Sequence, residues 1–176
     1  MLKGNKTLLF RVKEEDANDI IKLRNNPLIS KYLSGDKEIT LEDQINWIRN
    51  NNTILNDYYW KICNTNNEFC GTISLYNNND GKAEFGRYIC NHPIQAVEAE
   101  LLVIRFAFQV CSLDEIFCRT VIENVKVWKQ HYSFGFKDAG QENFRAKNFI
   151  LKLQVLTREI FNQFDYSKID KLIARF

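Results

Sequence analysis

Between Asp57 and Cys111 the chain passes from three short strand-like runs to a long apolar run with helical spacing, and the change dictates an architecture. Asp57–Cys63 (DYYWKIC), Phe69–Tyr76 (FCGTISLY) and Lys82–Ile89 (KAEFGRYI) are short runs rich in aromatic and β-branched residues. Asn64–Asn67 separates the first two, and Asn77–Gly81, ending in Asp-Gly, is a strong hairpin signal between the second and third. An antiparallel meander is expected. From Ile94 to Cys111 the spacing is helical and apolar on most sides, leaving Glu98, Arg105 and Gln109 as a narrow polar stripe, as in a helix buried against a sheet. Asp114–Val121 reads as a strand, so strand, helix, strand predicts a parallel crossover.

The flanks complete the pattern. Thr7–Lys13 is a first strand, Glu14, Glu15 and Asp16 favour a helix start, and Ala17–Arg24 carries apolar Ile20, Ile21 and Leu23. Pro27 excludes helical geometry at Asn26 and ends that helix. Thr40 and Asp43 form a capping box opening a helix to about Asn50, with Ile45 and Ile48 on one side and Trp47 beside them. Asn124–Tyr132 is a further helix closed by Phe134-Gly135-Phe136. Phe149–Val155 is a last strand, and Thr157–Phe176 a terminal helix with Leu172 and Phe176 packing back. The expectation is one α/β domain over residues 1–176 with a mixed, mostly antiparallel sheet and flanking helices.

Composition removes several classes of function. Lys+Arg 24 against Asp+Glu 22 leaves a formal charge of +2, which points to neither nucleic acid nor an acidic membrane. Gly 7 and Pro 2 exclude collagen-like and linker-type chains. Five scattered cysteines without a C-x-x-C pair, and two histidines, make no zinc set, so no metal is expected. Reduced thiols, the lack of an apolar run near Met1 and the lack of a membrane-length segment suggest a cytoplasmic protein.

Several segments in this order resemble the Gcn5-related N-acetyltransferase (GNAT) superfamily. Leu23-Arg24-Asn25-Asn26-Pro27, followed by Ile29 and Tyr32, resembles a segment of the branch holding ribosomal-protein N-acetyltransferases and amino-sugar acetyltransferases. Phe69-Cys70-Gly71-Thr72-Ile73 resembles its third strand, and Ala83-Glu84-Phe85-Gly86-Arg87-Tyr88-Ile89 its fourth. Glu123-Asn124, Tyr132 and Phe134-Gly135-Phe136 resemble its carboxy-terminal motif. The resemblance implies a parallel pair of strands that splay apart, acetyl-CoA as acetyl donor, and direct attack by an amine.

The resemblance also implies a site. A helix amino terminus suits an anionic pyrophosphate, and a free strand edge suits the pantetheine amides. Arg87, Tyr88 and Ile89 would supply the edge, and Ile94, Gln95, Ala96 and Val97 the loop and helix start that meet the phosphates. No glycine occurs between Gly86 and Gly135, so this loop departs from the family's glycine-bearing pattern. Placing Glu98 on the helix shortens the loop and lets the carboxylate point away. His131 occupies the position where the family often has a proton-donating Tyr; Asn124 shares its helix face and Tyr132 is the neighbouring candidate. Glu84 is the candidate base, expected mid-strand and facing solvent. Arg24, Trp47 and Trp60, with Tyr58 and Tyr59, would line the acceptor pocket. The expected acceptor is a small-molecule amine, an amino-sugar nucleotide in particular. The alternatives are a ribosomal-type protein N-terminus, or a non-catalytic module whose loop no longer binds CoA. The protein is expected as a monomer or homodimer, with no nucleic-acid or membrane partner.

Overall fold

The computed structural model describes residues 1–33, 38–145 and 148–176. The amino-terminal part comprises β1 (Leu2–Lys3), β2 (Thr7–Arg11), α1 (Ala17–Arg24), α2 (Pro27–Ser30) and α3 (Leu41–Asn51). The meander follows as β3 (Tyr58–Asn64), β4 (Phe69–Asn79) and β5 (Lys82–Cys90). Next come α4 (Pro93–Arg105), β6 (Glu115–Val121), α5 (Val125–Tyr132), β7 (Lys137–Phe144) and β8 (Phe149–Thr157), then α6 (Arg158–Gln163) and α7 (Ser167–Ala174).

Local chemistry accounts for these boundaries. The Thr40 hydroxyl accepts from the Asp43 N–H at 3.2 Å and opens α3. Asn26 caps α2, with Pro27 in its first turn, so the proline that stops α1 also starts a further short helix. Asp80 and Gly81 both have positive φ, 49° and 75°, the left-handed geometry of a tight hairpin turn between β4 and β5.

Among the described residues the strands form one sheet in the order β1-β2-β3-β4-β5-β6-β8-β7. Every pairing is antiparallel except β5 with β6. One face carries α1 and α3 over a core of Val12, Ala17, Ile20, Ile48 and Tyr59. The other carries α4, α5 and α7 over a larger core that includes Trp60, Ile73, Phe85, Ile104, Phe134 and Ile173. Three expectations change. Lys137–Phe144 is a strand, exposed along almost its whole length and therefore without the apolar alternation that betrays a half-buried one. The terminal helix divides in two around Asp165. Glu98, expected on a polar stripe, is buried.

Two irregularities in β5 position the site. Its parallel ladder with β6 holds only from Lys82↔Glu115 to Glu84↔Phe117, after which the strands are no longer paired with each other. Against β4, the register jumps from Thr72↔Ile89 to Ser74↔Gly86, so Arg87 and Tyr88 together oppose one residue. Arg87 takes a φ of 45° in this bulge. Gly71 lies across from the same stretch. A Cβ there would stand 2.0 Å from the Ile89 carbonyl oxygen and 2.8 Å from the Cys90 Cα, both backbone atoms. Gly71→Ala is therefore expected to force β4 from β5 and to cost about 3 kcal/mol or more, read as a lower urea midpoint. An unchanged midpoint would show that the strands have room to spare.

Candidate active site

Beyond Glu84 the edge of β5 that faces β6 has no strand partner among the described residues, so backbone groups between Phe85 and Cys90 are available to a peptide-like ligand. Only Asn91 and His92 separate this edge from α4. The first N–H groups of α4 have no partners within the helix, and His92 makes no side-chain cap. Ile94, Gln95, Ala96 and Val97, expected as loop and helix start, thus all lie within the first turns of α4. The shortened connection needs no glycine.

Glu98 points away from this end. Its carboxylate accepts from the Asn5 N–H at 2.6 Å and the Lys6 N–H at 2.8 Å, pinning the β1–β2 turn to α4. Gln95 is also turned that way, donating to the Lys6 carbonyl at 3.4 Å. Asn124 stands at the start of α5, where its carbonyl accepts from the Val127 N–H. Lys126, which the sequence argument overlooked, is an exposed cation near Cys90; burial pushes the Cys90 thiol up to about 12 while Lys126 pulls against it. An open strand edge, an uncapped helix amino terminus and a lysine thus meet at one mouth, a donor set suited to acetyl-CoA.

At the inner end of the cleft is His131, buried to 2% exposure. Its ring packs against Phe85 at 5.5 Å and Phe136 at 5.3 Å. Nδ1 lies 2.7 Å from Oε1 of Glu100, which is itself completely buried on α4. Burial disfavours the imidazolium, but the Glu100 charge and hydrogen bond, together with Cys118, outweigh it and hold the His131 pKa above its ordinary value. Gln130 donates to the other Glu100 oxygen and to the Tyr88 hydroxyl, each at 2.7 Å. Tyr132 lies elsewhere: its hydroxyl donates to Asp138 at 2.5 Å, and its ring flanks Lys152. The expectation of Tyr132 as a proton donor is corrected by this outward orientation. Glu100 was missed although a carboxylate between Ala99 and Leu101 on an apolar helix is itself a signal for a buried partner.

The opposite sheet face gathers the remaining candidates. Glu84 is buried at 4% exposure rather than facing solvent. Arg119 donates to both its oxygens, at 3.1 and 2.8 Å, and Asn77 donates to one at 3.2 Å. Arg119 of this pair lines a groove of about 380 Å³ together with Glu115, Phe117, Glu142, Leu153 and Val155. The Arg87 side chain also lies on this face. It pairs with both Asp57 oxygens and with Asn51, and its guanidinium lies 4.0 Å from the Tyr76 ring centre and 4.9 Å from that of Trp47. Only the Arg87 backbone belongs to the free edge. The expectation that Trp60 joins Trp47 is corrected: Trp60 alternates to the α4 side, stacked with Tyr58 and edge-on to Phe106. Arg24 lies close enough to the Tyr59 hydroxyl to act on it, and Trp47 meets the Tyr59 ring edge-on at 5.2 Å; among the described residues the Arg24 Nε and the Ser74 hydroxyl are buried without hydrogen-bond partners.

A family model described as an acetyltransferase (GNAT) domain matches residues 6–137, well over half of the sequence. The chain belongs to the GNAT acetyltransferase family. Members are N-acetyltransferases that use acetyl-CoA. Among solved structures, apo FdhC, a nucleotide-linked sugar GNAT, is 24% identical with a TM-score of 0.82, covering 98% of this chain and 97% of that one. The spermidine N-acetyltransferase from Vibrio cholerae in complex with CoA and spermine is 17% identical, with a TM-score of 0.78 and coverage of 90% and 99%. An acetyltransferase of the GNAT family from Bacillus anthracis is 16% identical, with a TM-score of 0.75 and coverage of 90% and 98%. At these identities the structures establish the shared fold. No curated protein matches the chain significantly. Among the described residues no helix is long and apolar enough to cross a membrane, and no group of three or more His, Cys, Asp or Glu side chains is gathered as a metal site.

The His131–Glu100 pair has a signature in stability. Folded His131 keeps its proton above 6.5, the ordinary imidazole value, where the unfolded chain has released it. Its contribution is therefore complete below that pH and is lost as pH rises towards the raised folded value. The urea midpoint is expected to fall between about pH 6.5 and about 10, and less steeply in His131→Gln. A midpoint level across that window in the native chain would contradict a protonated His131.

Proposed function

We propose that this protein is an acetyl-CoA-dependent N-acetyltransferase whose acceptor is the amine of a nucleotide-linked amino sugar. The observation that carries the reading is the divergence of β5 from β6 after three residue pairs, with the amino terminus of α4 at its open end. Acetyl-CoA supplies the activated acetyl thioester. The free β5 edge, by way of Arg87, Tyr88 and Ile89, binds the pantetheine amides. The first turn of α4 and Lys126 bind the phosphates, favoured by the helix dipole. Asn124 stands beside that path. His131, held as an imidazolium, donates a proton to the departing thiolate. No covalent enzyme intermediate is required.

On the acceptor side, Glu84 has both oxygens engaged by Arg119, so it acts on the amine through its charge and through water in the groove rather than by capturing a proton directly. Three findings support a sugar-linked acceptor. Around the groove Glu115 pairs with Lys82 at 3.2 Å, while Glu84 and Glu142 share Arg119 at 2.8 and 3.9 Å, which leaves the surplus of a single negative charge for a polycation. The Arg24 Nε and Ser74 hydroxyl, without hydrogen-bond partners among the described residues, suit a hydroxyl-rich ligand. The similarity to a nucleotide-linked sugar GNAT spans nearly the whole chain. Five free thiols are consistent with a cytoplasmic setting.

Acetyl-CoA is expected to raise the melting temperature, and nucleotide-linked amino sugars to give the fastest thiol release in a panel that includes spermidine and amino-terminal peptides. No thermal shift at saturating acetyl-CoA would favour a non-catalytic module; faster turnover of spermidine or a peptide would overturn the sugar. In the same assay His131→Ala should lower kcat at least about tenfold with a smaller change in KM. Lys126→Ala should instead raise the KM for acetyl-CoA about two- to tenfold and leave kcat nearly unchanged.

A further inference from the structure

We infer that Glu100 is a positioning residue that keeps His131 in its imidazolium form at the apex of the cleft, and that Gln130 and Tyr88 complete the arrangement. The inference rests on the function proposed above and adds the group that sets the proton donor's charge. The last residue pair of the parallel ladder is Glu84↔Phe117. The groups around the His131 ring are the next ones along each strand: Phe85 and Tyr88 from β5, and Cys118 from β6. His131 therefore stands where the strands begin to part.

Glu100 approaches from the opposite side, on α4. One of its oxygens is 2.7 Å from His131 Nδ1. The other accepts from Gln130, whose side chain also donates to the Tyr88 hydroxyl. Oε2 thus accepts from Gln130, and Oε1 faces Nδ1, so a proton held on Nδ1 is donated straight to the carboxylate. At 0% exposure for Glu100 and 2% for His131, an ionised carboxylate requires a compensating charge, and imidazolium is the one in contact with it. The other titratable groups facing the pair are Cys118 from β6, Tyr88 from β5, and Tyr166, which precedes α7 and feels the Glu100 charge. Arg105 on α4, which also acts on Tyr166, is the nearby cation, and it is engaged by Asp170 at 2.8 Å.

With Nδ1 committed to Glu100, an imidazolium has one further N–H, at Nε2, which faces the Cys118 thiol and has to leave it for the departing sulfur. In the transfer step the amine lone pair forms the N–C bond, and the C–S bond breaks with its electrons passing to sulfur. The sulfur takes the Nε2 proton. The amine releases its surplus proton to water, and His131 regains one from water before the next turnover. Glu100 touches neither reactant. Its contribution is that the donor is protonated at neutral and mildly alkaline pH, where an ordinary imidazole, or one that is buried and unpaired, has lost its proton.

The test uses the full chain. Its two histidines, His92 and His131, make ring NMR titration tractable, with His92→Gln assigning the signals. In the native protein His131 should remain protonated through about pH 8, and in Glu100→Gln it should titrate below about pH 6.5. The alkaline limb of kcat at saturating acetyl-CoA should move to lower pH by at least about one unit in Glu100→Gln, so that the loss relative to the native protein shrinks as pH falls. A merely structural Glu100 would lower kcat at every pH without moving the limb, and that result would overturn the inference. An ordinary His131 titration in the native protein would overturn it as well, and this measurement decides the matter if Glu100→Gln fails to fold. Absence of acetyl-CoA binding would count against the proposed function, leaving the ring titration to decide what Glu100 does.

Discussion

A strand pair that separates after three residue pairs has to be braced from elsewhere, and here the brace is a helix-to-helix contact behind the opening. Phe85, His131 and Phe136 form an aromatic cluster beneath the diverging strands, and Glu100 ties that cluster to α4. The Glu100–His131 pair thereby joins the two helices that flank the cleft. A buried pair of this kind contributes little net stability compared with apolar residues of the same shape, yet loss of one partner strands the other charge at a cost of about 3–5 kcal/mol. Such a pair is retained more readily where its charge has a use.

The bulge in β5 joins two faces that otherwise share no side chains. The Arg87 backbone lies on the free edge facing the cleft, while its side chain is fixed on the far face between Asp57, Asn51 and the Tyr76 and Trp47 rings. A non-glycine residue at a φ of 45° carries a conformational cost on the order of 1 kcal/mol. The bidentate pair and the aromatic contacts offset it. Asp57 and Asn51, well outside the strand, therefore help to hold the curvature of the edge that receives the donor.

Much of this arrangement was legible from residue patterns. The meander shows through its aromatic and β-branched runs and the Asp80-Gly81 turn, and α4 through its apolar breadth. The parallel crossover follows from their order. Strand parity also separates Trp60 from Tyr59, but which face receives α1 and α3 depends on packing between distant segments. Tyr132 and His131 are adjacent in sequence, and only the packed position of α5 turns one inward and the other towards Asp138. The Glu84–Arg119 pair spans 35 positions and requires the β5–β6 register, which no local pattern encodes. Lys126 was hidden for a simpler reason: an exposed lysine on a helix is ordinary until a strand end is placed beside it.

The outer strand β7 has a further consequence. It ends the sheet with nearly every side chain in solvent, including Lys137, Asp138 and Glu142, and its register to β8 shifts between Asp138 and Gly140. A charged, irregular border of this kind is a poor template for another polypeptide seeking a strand partner. Residues that look featureless in a hydrophobicity profile thus guard the sheet against aggregation at its carboxy-terminal border.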